Sequence, residues 1–258
     1  MRAPSDSPLP LQEMAEIAGL SPFHFARVFR GLTGIPPGQF LSALRLERAK
    51  ELLLTTDLSV TDICFEVGYD SLGTFTTRFT QLVGLPPRRV RRLPDAVAGA
   101  FERVRSDDPI LPPAALATAA TGIAGRISAP DLSSGLIFVG LFPGAVPQRR
   151  PIGGAILTAP GPFLLAMPPD GRYHLLAAAL PDPRDPLAFL LPGAALRVGR
   201  GEGTLLARAG QVLGHTDVTL RPSLVTDPPV LVALPALLLE RLASDPGRSH
   251  VAALKSAR

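Results

Sequence analysis

Over the first 93 residues, apolar positions recur at helical spacing in short blocks that glycine and proline interrupt. Residues 11–18 predict a short helix, which Gly19 ends. Ser21 and Pro22 are of the N-cap and N1 types that open a second helix. With Phe25 as the origin and about 100° per residue, Phe29 falls near 40°, whereas Phe23, Arg27 and Arg30 fall between about 140° and 200°. One side of that helix is therefore apolar, and the other carries the arginines. Gly34, Ile35, Pro36 and Pro37 break the pattern. Residues 38–56 then predict a longer helix with Phe40, Leu41, Leu44, Ala49, Leu52 and Leu53 facing inward.

The same pattern returns. Ser59 opens a helix over 60–67, Gly68 and Tyr69 turn the chain, Ser71 opens a helix over 72–83, and Gly84, Pro86 and Pro87 stop it. Phe25 aligns with Phe75, Phe29 with Phe79, Leu32 with Leu82 and Gly34 with Gly84, each fifty residues apart. Upstream, Leu11, Glu13, Met14, Ala18 and Gly19 align with Val60, Asp62, Ile63, Val67 and Gly68 at a spacing of forty-nine. Each copy reads as a short helix, a glycine turn, a serine cap and a second helix, the sequence of a helix-turn-helix. The helix between them would span roughly 28 Å at 1.5 Å per residue, close to the ~34 Å between successive major-groove openings on one side of B-DNA.

Beyond this region the period changes. Residues 95–121 are rich in alanine and proline and predict a linker, helical around 96–104. Short apolar runs at 136–142, 155–158, 163–167, 173–179, 204–207 and 218–220, separated by glycine and proline, predict strands. Asp170-Gly171 between two of them predicts a type I′ hairpin, and residues 236–243 predict a final helix. The expected fold class is α+β multidomain: an N-terminal all-α tandem helix-turn-helix domain (1–94), a linker (95–121), a C-terminal mainly-β, sandwich-like domain (122–222), and a C-terminal helix and tail (223–258).

His24-Phe25-Ala26-Arg27-Val28-Phe29-Arg30, Gly68-Tyr69-Asp70-Ser71, Phe75-Thr76-Thr77-Arg78-Phe79 and Gly84-Leu85-Pro86-Pro87 resemble the AraC/XylS-type transcriptional regulators over about residues 9–93. The resemblance implies a transcription regulator, such as an activator, that binds double-stranded DNA through both units. RNA polymerase or a second protomer would be further partners, and the β-rich domain would serve dimerisation or sensing of a small-molecule effector. One departure is that Pro4, Pro8 and Pro10 disfavour a helix where the family places one to support the first unit. The first unit is thus expected to be less stable than its own sequence suggests. Residues 161–165 and 167–175 are similar to one strand–turn–strand repeat of carboxypeptidase-regulatory-like, prealbumin-type β-sandwiches. That second resemblance implies an alternative, in which the β domain binds a carbohydrate or a protein and the helical domain is only an address.

The residues expected to meet DNA follow from the repeat. Arg27 has a planar fork suited to a guanine edge or a phosphate. Phe23, on the same face as Arg30, is suited either to thymine methyls or to packing against a neighbouring helix end. His24 resembles the histidine that opens the family motif and suits a structural or phosphate contact. In the second helix the aligned face is Gly73, Thr77 and Thr80, flanked by Thr74 and Thr76. Where the family usually shows arginine this chain has Thr77, and Arg78 lies about 100° further round. Threonine offers no bidentate guanine contact, so the first unit should read more sequence and the second should position more. Arg88 and Arg89, with Arg91 and Arg92 beside them, are expected either to grip phosphates or to form a solvated basic end.

Composition adds mainly exclusions. The formal charge is +4 and the pI near 10.0, but basic and acidic residues divide evenly between the two halves, so charge does not say which half meets DNA. A single cysteine excludes an intramolecular disulfide and a thiolate zinc site. No metal or cofactor is expected. Cys64 falls at an inward position. His174 and His215 stand in the strand region with no Gly-x-Ser-x-Gly elbow, P-loop or dinucleotide fingerprint, so no enzyme is expected. Without a signal-peptide pattern, and with residues 230–239 reaching only about half of the ~20 a membrane span needs, a soluble cytoplasmic protein is expected.

Overall fold

The computed structural model describes residues 10–97, 122–133, 135–180, 190, 191 and 193–243. It opens with α1 (Leu11–Ile17), α2 (Pro22–Thr33), α3 (Pro37–Thr55), α4 (Val60–Glu66), α5 (Leu72–Val83) and α6 (Pro87–Arg91), after which 93–97 is again helical. The start and stop signals act as their residue types require. Ser21 Oγ accepts from the His24 amide and Ser71 Oγ from the Thr74 amide, both at 3.4 Å. Gly34 and Gly84 close the two equivalent helices at φ 79° and 90°, a left-handed conformation that glycine adopts without steric cost. Ser59 and Asp62 form a reciprocal capping box at the start of α4.

The second unit is closed around its aromatics. Phe75 and Phe79 are fully buried with Ile63, Cys64, Leu46 and Leu53, and the Phe75 ring lies 5.3 Å from Tyr69 and 5.5 Å from Phe79. The first unit is more open: Phe25 and Phe29 are half-buried, while Ile17 and Leu32 are 76% and 70% exposed. On α3, Ala43 and Leu46 are buried, whereas Leu41 and Leu44, expected inward, are only half-buried. The buried side of the 19-residue α3 therefore lies slightly round from the expected one, toward the packing partners α4 and α6.

The second half is β-rich, giving an α+β, two-domain protein. Its strands are β1 (Gly122–Ser128), β2 (Leu136–Phe142), β3 (Gly153–Leu157), β4 (Gly161–Ala166), β5 (Gly171–Leu180), β6 (Arg197–Arg200), β7 (Leu205–Arg208), β8 (Gln211–Leu213), β9 (Val218–Thr219) and β10 (Arg221–Pro222). One sheet runs β4-β1-β9. The other runs β10-β6-β5-β2-β3, with β7 and β8 branching from β5. Ile123, Ile127, Phe163, Leu165 and Val218 of the small sheet share a core with Ile137, Val139, Leu141, Leu175 and Ala177 of the large one. The opposite face of the large sheet, with Phe138, Phe142, Leu176, Ala178 and Leu180, packs against Val97, Val232 and Leu234. Because both faces are covered, β2 is buried at every position. The last helix, α7 (Leu234–Ala243), starts two residues before the expected 236 and accommodates Pro235 in its first turn.

The expected hairpin at Asp170-Gly171 does not form. β4 pairs with β1, whereas β5 pairs with β2, β6 and β7, so the chain crosses there from one sheet to the other. Neither residue has positive φ, which a type I′ turn requires at both central positions. Asp170 instead accepts the Ala209 amide at 2.9 Å, bracing the turn between β7 and β8. The expected linker helix begins at 93, and its part over 98–104 lies outside the described residues.

Candidate nucleic-acid interface

Helices α2 and α5 each have twelve residues, a serine cap, a buried or half-buried phenylalanine pair and an exposed opposite face. On α2 the exposed face carries Phe23, His24, Arg27 and Arg30. Phe23 is 93% exposed, so the expectation that it packs against a neighbouring helix end is not met. Arg27 Nη2 donates to His24 Nδ1 at 2.9 Å, orienting the guanidinium on the helix surface.

On α5, Gly73, Thr74, Thr77 and Arg78 are exposed and Thr76 is half-buried. The Thr80 hydroxyl donates to the Thr76 carbonyl at 2.7 Å, so its proton is committed to the helix. Thr77 remains the central exposed hydroxyl of this face. Arg88 and Arg89 are exposed on α6. Arg91 differs: it is half-buried and donates to the Leu58 carbonyl, tying α6 to the loop before α4. That partner sits 33 residues upstream, beyond the reach of a local pattern.

A family model described as a helix-turn-helix domain matches residues 14–93. An HTH-type transcriptional activator, AarP of Providencia stuartii, is 35% identical over 83 residues, which are 32% of this chain and 62% of that protein. YobQ of Bacillus subtilis, an uncharacterized HTH-type transcriptional regulator, is 34% identical over 83 residues, covering 32% of this chain and 34% of its own length. Residues 14–93 are an AraC-type helix-turn-helix domain. The DNA-binding domain of AdpA, solved in complex with a target DNA, is 29% identical and covers 40% of this chain and 86% of that one, at a TM-score of 0.32. The chain spans less than two thirds of these curated relatives, and the family model leaves its β-rich half outside.

The AraC-type domain does not end at its own sequence. Val146, Leu231, Ala233 and Ala236 of the second half are buried in the same core as Phe40, Leu53, Phe79 and Val83. The last carbonyls of a helix have no partner within it. On α5 they find partners in the other half: Leu82 O accepts the Arg149 amide at 2.6 Å, and Val83 O accepts the Ala233 amide at 3.1 Å. Arg149 makes its contact at φ 65°, a conformation costly for a residue with a Cβ. From α3, Lys50 Nζ donates to the Val230 carbonyl at 2.6 Å. Desolvation lowers the Lys50 pKa from 10.5 to about 8, against the opposing pull of Glu47. At the end of α2, a Cβ on Gly34 would stand 2.7 Å from Arg200 Nη1.

The remaining chemically active side chains are placed apart from this face. Cys64 is fully buried, its thiol pKa raised by burial and by Asp70, and its Sγ lies 3.7 Å from the Tyr69 carbonyl. His174 is half-buried on β5, with its pKa lowered by desolvation and by Arg200. His215 Nδ1 accepts the Asp217 amide at 3.4 Å. Among the described residues no cluster of histidine, cysteine or carboxylate could hold a metal, and no helix is long and apolar enough to cross a membrane.

Proposed function

We propose that the protein is a sequence-specific transcription regulator acting in the cytoplasm. It binds an asymmetric duplex site with α2 and α5 in successive major grooves. The observation that carries this reading is the pair of equal, identically capped helices with exposed polar faces, joined through the 19-residue α3. Arg27, oriented by His24, reads a guanine edge; Phe23 covers a thymine methyl; Arg30 contacts the backbone. On α5, Gly73 lets the backbone approach closely, and Thr74, Thr76, Thr77 and Arg78 hold phosphates and set register. Arg88 and Arg89 add phosphate contacts. The β-rich half senses an effector or pairs two protomers, and RNA polymerase is the partner through which activation would be exerted. The core shared by the two halves supports this joint action over the reading of the helical domain as a bare address.

Selection from a pool of random duplexes tests the reading. The protein should enrich one asymmetric sequence, with a steeper base preference in one half than in the other. Salt-dependent retention without enrichment would show backbone attraction alone and defeat the proposal.

A further inference from the structure

A cavity of about 940 Å³ is lined by the large sheet, by residues 158–162 with Leu164 and Ala166 of β4, and by residues between 227 and 237. Its volume is in the range that takes a whole small molecule. Phe138, Ile156, Leu176, Ala178, Val232 and Leu234 give it an apolar body, and the charged residues lining it are Arg150, Arg200, Arg221 and Asp227. The carboxylate is already spoken for: Asp227 accepts both Arg221 terminal nitrogens at 2.7 Å and the Leu224 amide at 2.7 Å. Burial pushes its pKa up, but these hydrogen bonds and the charges of Arg221 and Arg200 prevail and hold it below the usual carboxylate value. With Arg221 and Asp227 paired, Arg200 stands as a positive charge beside an apolar floor. Among the described residues the Arg200 guanidinium makes no hydrogen bond.

One wall of this cavity is also a wall of the AraC-type domain. Val230, Val232 and Leu234 line the cavity, while the residues between them, Leu231 and Ala233, are buried in the helical core. A second segment repeats the arrangement: Ala145 and Pro147 line the cavity and Val146 enters the helical core. The Pro147 carbonyl accepts the Leu231 and Val232 amides, each at 3.0 Å, joining the segments into one partition. The Ala233 amide then reaches the end of α5, and Arg200 reaches the end of α2.

We propose that this cavity is an effector site for an organic carboxylate with an apolar body, its carboxylate held by Arg200 and its body against Phe138, Leu176 and Val232. Filling it displaces the partition and Arg200, shifting the ends of α5 and α2 and so the register of the two helices on DNA. Ligand binding stands on the cavity alone. Its regulatory consequence rests on the DNA-binding reading above.

The test uses the full chain with 1-pyrenebutyrate and its neutral counterpart 1-pyrenebutanol, followed by fluorescence. The acid should bind saturably at one site, at least tenfold tighter than the alcohol. Arg200→Gln, at an exposed position, should weaken the acid at least tenfold and leave the alcohol unchanged. Ile156→Trp, at a half-buried lining position, should abolish both, with thermal melts showing that each variant is folded. Absence of saturable binding by the wild-type chain, or equal binding of the acid to wild type and Arg200→Gln, would overturn the site. Saturating acid should also change affinity for the selected duplex at least fivefold, the scale of ordinary coupling between sites. Acid binding with unchanged DNA affinity would overturn the transmission. DNA affinity measured without the acid reports separately on the regulator reading.

Discussion

Arg27 meets DNA, in this account, with its guanidinium already oriented by His24, so less side-chain freedom is lost on contact. Thr77, at the corresponding place on α5, offers only a hydroxyl. Arg27→Ala should therefore weaken binding to the selected duplex by about 5- to 150-fold, the ~1–3 kcal/mol of a bidentate base contact, and relax preference at one base. Thr77→Ala should cost less and weaken all sequences alike. Anisotropy titrations of both variants decide this, and a larger loss for Thr77→Ala would reverse the assigned roles. Lys50 gives a pH test. Its folded pKa of about 8 lies below the ordinary 10.5, so between those values the unfolded chain binds more protons and stability rises with pH. Wild type should gain stability relative to Lys50→Met from pH 8 upward. A pH-independent difference in denaturation midpoints would contradict it. The burial of Phe75 and Phe79 was legible from four-residue spacing. The half-buried contact of Lys50 was not, because its partner Val230 lies 180 residues away.

Helices were the most legible elements because their signals are local. Serine caps, glycine stops and the 3.6-residue period all lie within one turn of the structure they specify. The capping box of Ser59 and Asp62 is one such device, and Ser59→Ala should cost about 0.5–2 kcal/mol, read as a lower denaturation midpoint; an unchanged midpoint would show that α4 is held by packing alone. Strands were legible where apolar runs are continuous, as in β2 and β5. β1 and β6 escaped notice because glycines interrupt them. Those glycines answer to long-range contacts: a Cβ on Gly125 would stand 2.3 Å from Thr216 O, and one on Gly199 would stand 2.6 Å from Thr219 O. The Asp170-Gly171 signal misled for the same reason, since β5 takes its partners from distant strands rather than from β4.

At the scale of the whole molecule, the tandem repeat made the two-unit domain and its exposed faces readable. What no local pattern carried is the joint between the halves. Residues 223–258 read as an appended helix and tail, yet Leu231, Ala233 and Ala236 complete the helical core, and the Ala233 and Arg149 amides hold the carbonyls that end α5. Such contacts join positions far apart in sequence, and their hydrophobic periodicity is that of an ordinary short strand. The resulting architecture places α2, α5 and the β-rich half on one scaffold, and on the proposed function a single chain should engage two grooves. Hydroxyl-radical footprinting of the full chain on the selected duplex tests this most directly. Two unequal protected segments are expected, about one helical turn, ~34 Å, apart on one face of an asymmetric site. A single short protected segment per chain, repeated across a perfect palindrome, would contradict it.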